Sequence, residues 1–130
     1  MQLYHMNHVS ASTILVVEDE IILREYLTEL LELEGYTAVT AGSAGEAISQ
    51  LQSNAISAAI TDLHLGQSTG MEVLQYLQIH SLRVPCLLMS AEWNTTLQQQ
   101  CLQAGAAGLI KKPFDNKDLL RLLREALQLY

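Results

Sequence analysis

From Thr13 onward, short apolar runs take turns with segments of helical periodicity, five times over. The runs are 13–18 (TILVVE), 36–40 (YTAVT), 56–61 (ISAAIT), 84–89 (VPCLLM) and 107–111 (AGLIK). Their shortness and their β-branched content make them strands. The segments between them carry apolar residues at three- and four-residue steps. Over 20–34, Leu23, Tyr26, Leu27, Leu30 and Leu31 define one buried face, and Gly35 supplies a left-handed cap. A weaker helix over 44–53 uses Ala44, Ala47, Ile48 and Leu51, and a third over 70–80 uses Met71, Leu74 and Leu77. A fourth covers 95–104. The fifth, 116–129, presents Leu119, Leu120, Leu122, Leu123, Ala126 and Leu127 after an Asp115 cap.

Strands that alternate with helices pair in parallel, with helices on both faces of the sheet. Right-handed crossovers make this a doubly wound α/β fold. A chain of 130 residues suits one such domain, here placed at 13–130 behind a flexible leader at 1–12. His5 and His8 in that leader have no third ligand near them in sequence, so they read as tail rather than metal site. Hydrophobic residues at 49% against charged residues at 16% exclude disorder. No apolar run is long enough to span a bilayer, and no signal peptide precedes the first strand. Cys86 and Cys101 lie in apolar surroundings and read as reduced core thiols, which places the chain in the cytoplasm.

The net charge is −7, unevenly spread. Residues 1–110 hold two basic residues, Arg24 and Arg83, against eleven acids, giving −9. Residues 111–130 hold five basic residues against three acids, giving +2. An acidic body repels phosphate backbones, so direct nucleic-acid binding is excluded.

In doubly wound folds chemistry sits outside the carboxyl ends of the strands. The first strand ends in Glu18-Asp19-Glu20 and the third in Thr61-Asp62. The fourth ends in Ser90 and the fifth in Lys111-Lys112-Pro113. Carboxylates converging at one sheet edge repel one another unless a cation joins them. Through ILVVEDE (14–20), ITDLHLGQSTG (60–70), LLMSAE (87–92) and GLIKKPF (108–114), the sequence resembles the receiver domain of two-component response regulators over residues 13–130.

The resemblance implies a flavodoxin-like (βα)5 domain with strand order 2-1-3-4-5. It implies Asp62 as the phosphoacceptor, loaded by a sensor histidine kinase or a histidine phosphotransfer protein. It implies Mg²⁺, with Mn²⁺ able to substitute, held by Glu18, Asp19, Asp62 and the backbone carbonyl of His64. Hard oxygen donors of this kind suit that ion. Lys112 and Ser90 would each bind a phosphoryl oxygen, and Lys112 takes the inward place because side chains alternate along a strand, leaving Lys111 to solvent. Lys112-Pro113 matches the family's cis peptide, which makes Pro113 a cis candidate. Such a domain catalyses its own aspartyl phosphorylation and dephosphorylation and turns over no separate substrate. Since the sequence closes on the fifth helix, the expectation is a receiver without an output module of its own.

Several positions depart from the family pattern. Leu109 stands where an aromatic switch residue is common, and the loop holding Trp93, three residues past Ser90, is left to respond to phosphate. Gly66 replaces a common proline, which implies a looser loop. The fourth helix has no charge, so it offers no acid to Lys117, Arg121 and Arg124 on the fifth. That argues against a salt-bridged dimer through helix four, strand five and helix five. The alternative function is a degenerate receiver that binds proteins without phosphorylation. An unrelated nucleotide-binding enzyme is disfavoured, since the chain has neither GxGxxG nor GxxxxGK[ST].

Overall fold

The computed structural model describes residues 12–129. The leader with His5 and His8 therefore lies outside the described residues, apart from Ser12. Five strands, β1 (Thr13–Val17), β2 (Thr37–Ala41), β3 (Ala58–Asp62), β6 (Cys86–Ser90) and β7 (Gly108–Lys111), form one sheet. All its pairs are parallel. Its order is β2-β1-β3-β6-β7, which is the expected 2-1-3-4-5 with β6 and β7 as fourth and fifth strands. Helices α1 (Ile21–Leu33), α2 (Ala44–Ser53), α3 (Gly70–Ile79), α4 (Thr95–Gln103) and α5 (Asn116–Leu129) connect or follow them.

The period-two alternation of β1 divides the core. Leu15 and Val17 join a cluster with Ala44 and Ala47 of α2, Val73, Leu74 and Leu77 of α3, and Cys101 of α4. Ile14 and Val16 join the opposite cluster with Leu27 and Leu31 of α1 and Leu119, Leu120 and Leu123 of α5. Every residue of β3 and β6 is buried, as a central parallel strand requires. Both thiols are free and buried.

Three expectations need correction. The stretch after β3, read as a loop, is paired as a small antiparallel hairpin of β4 (His64–Leu65) and β5 (Ser68–Thr69). Gly66 turns it at φ +72°, a conformation that glycine adopts without steric cost. Tyr26, assigned to the buried face of the first helix, is 46% exposed. Its hydroxyl accepts a hydrogen bond from Asn116 Nδ2 at 2.6 Å, and a phenol settles where its polar end finds a partner. Strand starts also shift inward, so that the run at 84–89 pairs only from Cys86. Pro85, before it, has no N–H to give a ladder. Gly35 does cap α1, at φ +94°, and Asp115 Oδ1 accepts from the N–H groups of Lys117 and Asp118 at the start of α5.

Candidate functional site: a carboxylate cluster at the carboxyl edge of the sheet

Parallel strands end on one side, so β1, β3, β6 and β7 deliver their last residues to a common edge. Glu18 follows β1 and is wholly buried, Asp62 ends β3 and is 5% exposed, and Asp19 is exposed. One carboxylate oxygen from each lies within 4.8 Å of the other two. Lys112, just past β7, reaches into this group. Its ammonium lies 2.5 Å from Asp62 Oδ2 and 3.3 Å from Glu18 Oε1. Lys111 is exposed and makes no such contact among the described residues.

The backbone holds the acids in place. Glu18 Oε2 accepts from the Glu20 N–H at 3.1 Å. Asp62 Oδ1 accepts from the His64 N–H at 3.0 Å. The Thr61 hydroxyl donates to the Asp62 carbonyl at 3.0 Å. At Gly70 a Cβ would stand 2.6 Å from that same carbonyl oxygen and 3.2 Å from Thr61 Oγ1. The missing side chain is what lets α3 begin against β3.

Electrostatics follow from burial. Desolvation, together with the neighbouring Asp62 charge, lifts the Glu18 carboxyl to about 7, although the Glu20 N–H and Lys112 pull it down. Partial burial works against the Lys112 charge, but its hydrogen bonds with Asp62 and Glu18 and their fields outweigh that and raise its pKa. Three carboxylates facing one ammonium leave an excess of negative charge and a set of hard oxygen donors. This donor set fits a small divalent cation.

Ser90 is buried at the end of β6, and its hydroxyl is engaged by its own loop. It accepts from the Glu92 N–H at 3.1 Å and donates to the Glu92 carbonyl at 3.4 Å. Trp93, treated from sequence as a loop ring, is half-buried, and its indole N–H donates to the Ile110 carbonyl at 2.9 Å. Its ring packs with the cluster that also holds Leu97 and Leu109. A large aromatic thus does stand beside β7, carried by the loop rather than by the strand. The sequence signal was Trp93 itself; its partner was not legible. The Lys112–Pro113 peptide is cis. On α5, Arg121 pairs with Asp118 at 3.6 Å and Glu125 at 3.5 Å, both exposed, so one of the three basic residues of the stripe is offset within its own helix.

A family model described as response regulator receiver domain matches residues 14–124. Among curated relatives, the heme response regulator HssR of Staphylococcus saprophyticus is 26% identical over 92% of this chain and 53% of its own length. The response regulator protein FleR of Pseudomonas aeruginosa is 34% identical over 87% of this chain and 24% of its own length. The chain therefore spans between a quarter and about half of these relatives. Of solved structures, the chemotaxis protein CheY4 of Vibrio cholerae superposes with a TM-score of 0.84 at 27% identity, covering 89% of this chain and 98% of that one.

Proposed function

The chain belongs to the response regulator receiver domain family, and from that premise we propose that Asp62 accepts a phosphoryl group from a phosphohistidine in the cytoplasm. The donor is a sensor histidine kinase or a histidine phosphotransfer protein. The observation that carries the reading is the Asp62–Lys112–Glu18 arrangement. A nearly buried carboxylate at the end of a central strand is bridged by an ammonium to a second carboxylate.

In the transfer, a carboxylate oxygen of Asp62 attacks phosphorus while the phosphorus–nitrogen bond of the donor breaks. The imidazole nitrogen keeps the electron pair. Such transfer depends on positioning and on neutralising charge. Glu18, Asp19 and Asp62, with the His64 backbone carbonyl, would hold Mg²⁺ or Mn²⁺, and the ion would supply the charge that lets an anion enter an acidic cluster. Lys112 binds a phosphoryl oxygen. At an effective dielectric near 20, a charge pair about 4 Å apart is worth roughly 4 kcal/mol. Ser90 exchanges its Glu92 partners for another phosphoryl oxygen. Because Glu92 and Trp93 share its loop, that exchange carries the Trp93 anchor on β7 with it and changes the surface a partner protein reads.

The test is intact-mass measurement after incubation with acetyl phosphate and Mg²⁺. One phosphoryl adduct is expected in wild type, and none in Asp62→Asn or with EDTA. An adduct that persists in Asp62→Asn removes Asp62 from this role. A wild type that stays unmodified supports the phosphorylation-independent binding module instead.

A further inference from the structure

Arg24 is one of two basic residues in the first 110, and it stands on the first turns of α1, close to the acids. Among the described residues it forms no ion pair with any carboxylate. Its guanidinium is spent elsewhere: Nη1 donates to the main-chain carbonyl of Glu18 at 3.0 Å. We propose that Arg24, seated against Gly42, is a positioning residue that orients the Glu18–Asp19 peptide and thereby sets the cation affinity of the site. The proposal rests on the reading of Glu18 and Asp19 as cation-binding acids.

The geometry points this way on three counts. First, the Glu18–Asp19 peptide lies just past the end of β1, where the ladder no longer fixes it. The Glu18 N–H still reaches the Ala41 carbonyl at 3.0 Å, but its C=O is held by Arg24. Second, Asp19 makes no side-chain hydrogen bond among the described residues. The direction of its carboxylate therefore follows from the peptide that precedes it. Third, room for the guanidinium is built in. A Cβ on Gly42 would stand 2.7 Å from Arg24 Nη1, so the flexible end of the arginine would have to move from its place. The Gly42 N–H is in turn held by Glu46 Oε1 at 2.8 Å, and the Arg24 carbonyl accepts from the Thr28 hydroxyl at 2.9 Å. Arginine suits the place because it keeps its charge at any working pH and presents a rigid fork of donors. Groups that orient metal ligands from behind typically govern affinity by about 10- to 100-fold.

The experiment is calorimetric titration of the full chain with Mg²⁺, with thermal melts of each variant alongside. Arg24→Ala is expected to weaken Mg²⁺ binding about tenfold, and acetyl phosphate labelling should recover when Mg²⁺ is raised to saturation. Gly42→Ala keeps the arginine but displaces it, so it should weaken binding in the same direction. In the double variant the two losses should not add, because the methyl then meets no guanidinium. A purely structural role would lower the melting temperature and leave the Mg²⁺ affinity in place. Equal affinities of wild type and Arg24→Ala, or fully additive losses, overturn the proposal while leaving the phosphoacceptor reading intact. If Arg24→Ala fails to fold, Gly42→Ala alone decides. Wild type that binds no Mg²⁺ overturns this proposal together with the cation-site reading beneath it.

Discussion

Glu18 is the residue whose surroundings carry the most direct thermodynamic consequence. Burial raises its carboxyl from 4.5 to about 7, so between those values the folded chain binds a proton that the unfolded chain releases. Stability then falls as pH rises through that window and is lowest, for this group, above it. At 1.36 kcal/mol per unit, the loss is about 2–4 kcal/mol. In metal-free buffer, urea melts at pH 5 and pH 8 should show wild type losing this amount relative to Glu18→Gln. Parallel pH slopes in the two proteins would contradict it. The same proton must leave before the carboxylate can bind a cation, so Mg²⁺ affinity should climb over the same range. Glu18, Asp19, Asp62 and Lys112 were legible in the sequence because each closes or follows a strand, and parallel strands share one edge. Arg24, the Trp93 anchor on Ile110 and the exposed Tyr26 were not. Each depends on which way a loop or a helix end turns, and no periodicity records that.

The helices differ sharply in what they bury. Four residues of α5 are buried, Leu119, Leu120, Leu123 and Ala126, whereas α4 buries only Cys101. Asn94 caps α4 through its Oδ1 and the Leu97 N–H at 2.8 Å, but a cap contributes only about 1 kcal/mol. Threonine at two of its nine positions and the absence of charged pairs add little intrinsic preference. Amide hydrogen exchange is therefore expected to be fastest in α4 among the five helices, and most altered there when a phosphate mimic binds. Protection of α4 equal to that of α5 would remove it as the moving element. The opposite case is Gly70, where α3 starts against the Asp62 carbonyl. Gly70→Ala inserts a methyl with nowhere to go and should cost about 1–3 kcal/mol in urea unfolding. Element identity was readable because five short apolar runs alternate with amphipathic segments. The β4–β5 hairpin escaped notice because two-residue strands are too short to leave a pattern.

At the scale of the whole molecule the acids form two populations. Most are spread over an acidic surface, where they repel one another weakly and over long range. Glu18, Asp19 and Asp62 instead meet within 4.8 Å, where among the described residues Lys112 alone pairs with them. Any salt relieves the first population by screening, which at physiological strength acts over about 8 Å. A divalent ion bound at one site relieves the second, and its effect grows with the logarithm of its concentration above the dissociation constant. At one hundred times that constant the gain is about 2.7 kcal/mol. With an unfolding entropy of about 2.1 cal/mol/K per residue, a chain this long should gain roughly 10 °C in melting temperature. The two effects separate cleanly. NaCl at matched ionic strength should give a small shift without this dependence, and Asp19→Asn should lose most of the Mg²⁺ shift while keeping its response to NaCl. If NaCl reproduces the Mg²⁺ shift in wild type, or Asp19→Asn retains it in full, the acidic cluster is an ordinary part of a charged surface and the cation assignment falls.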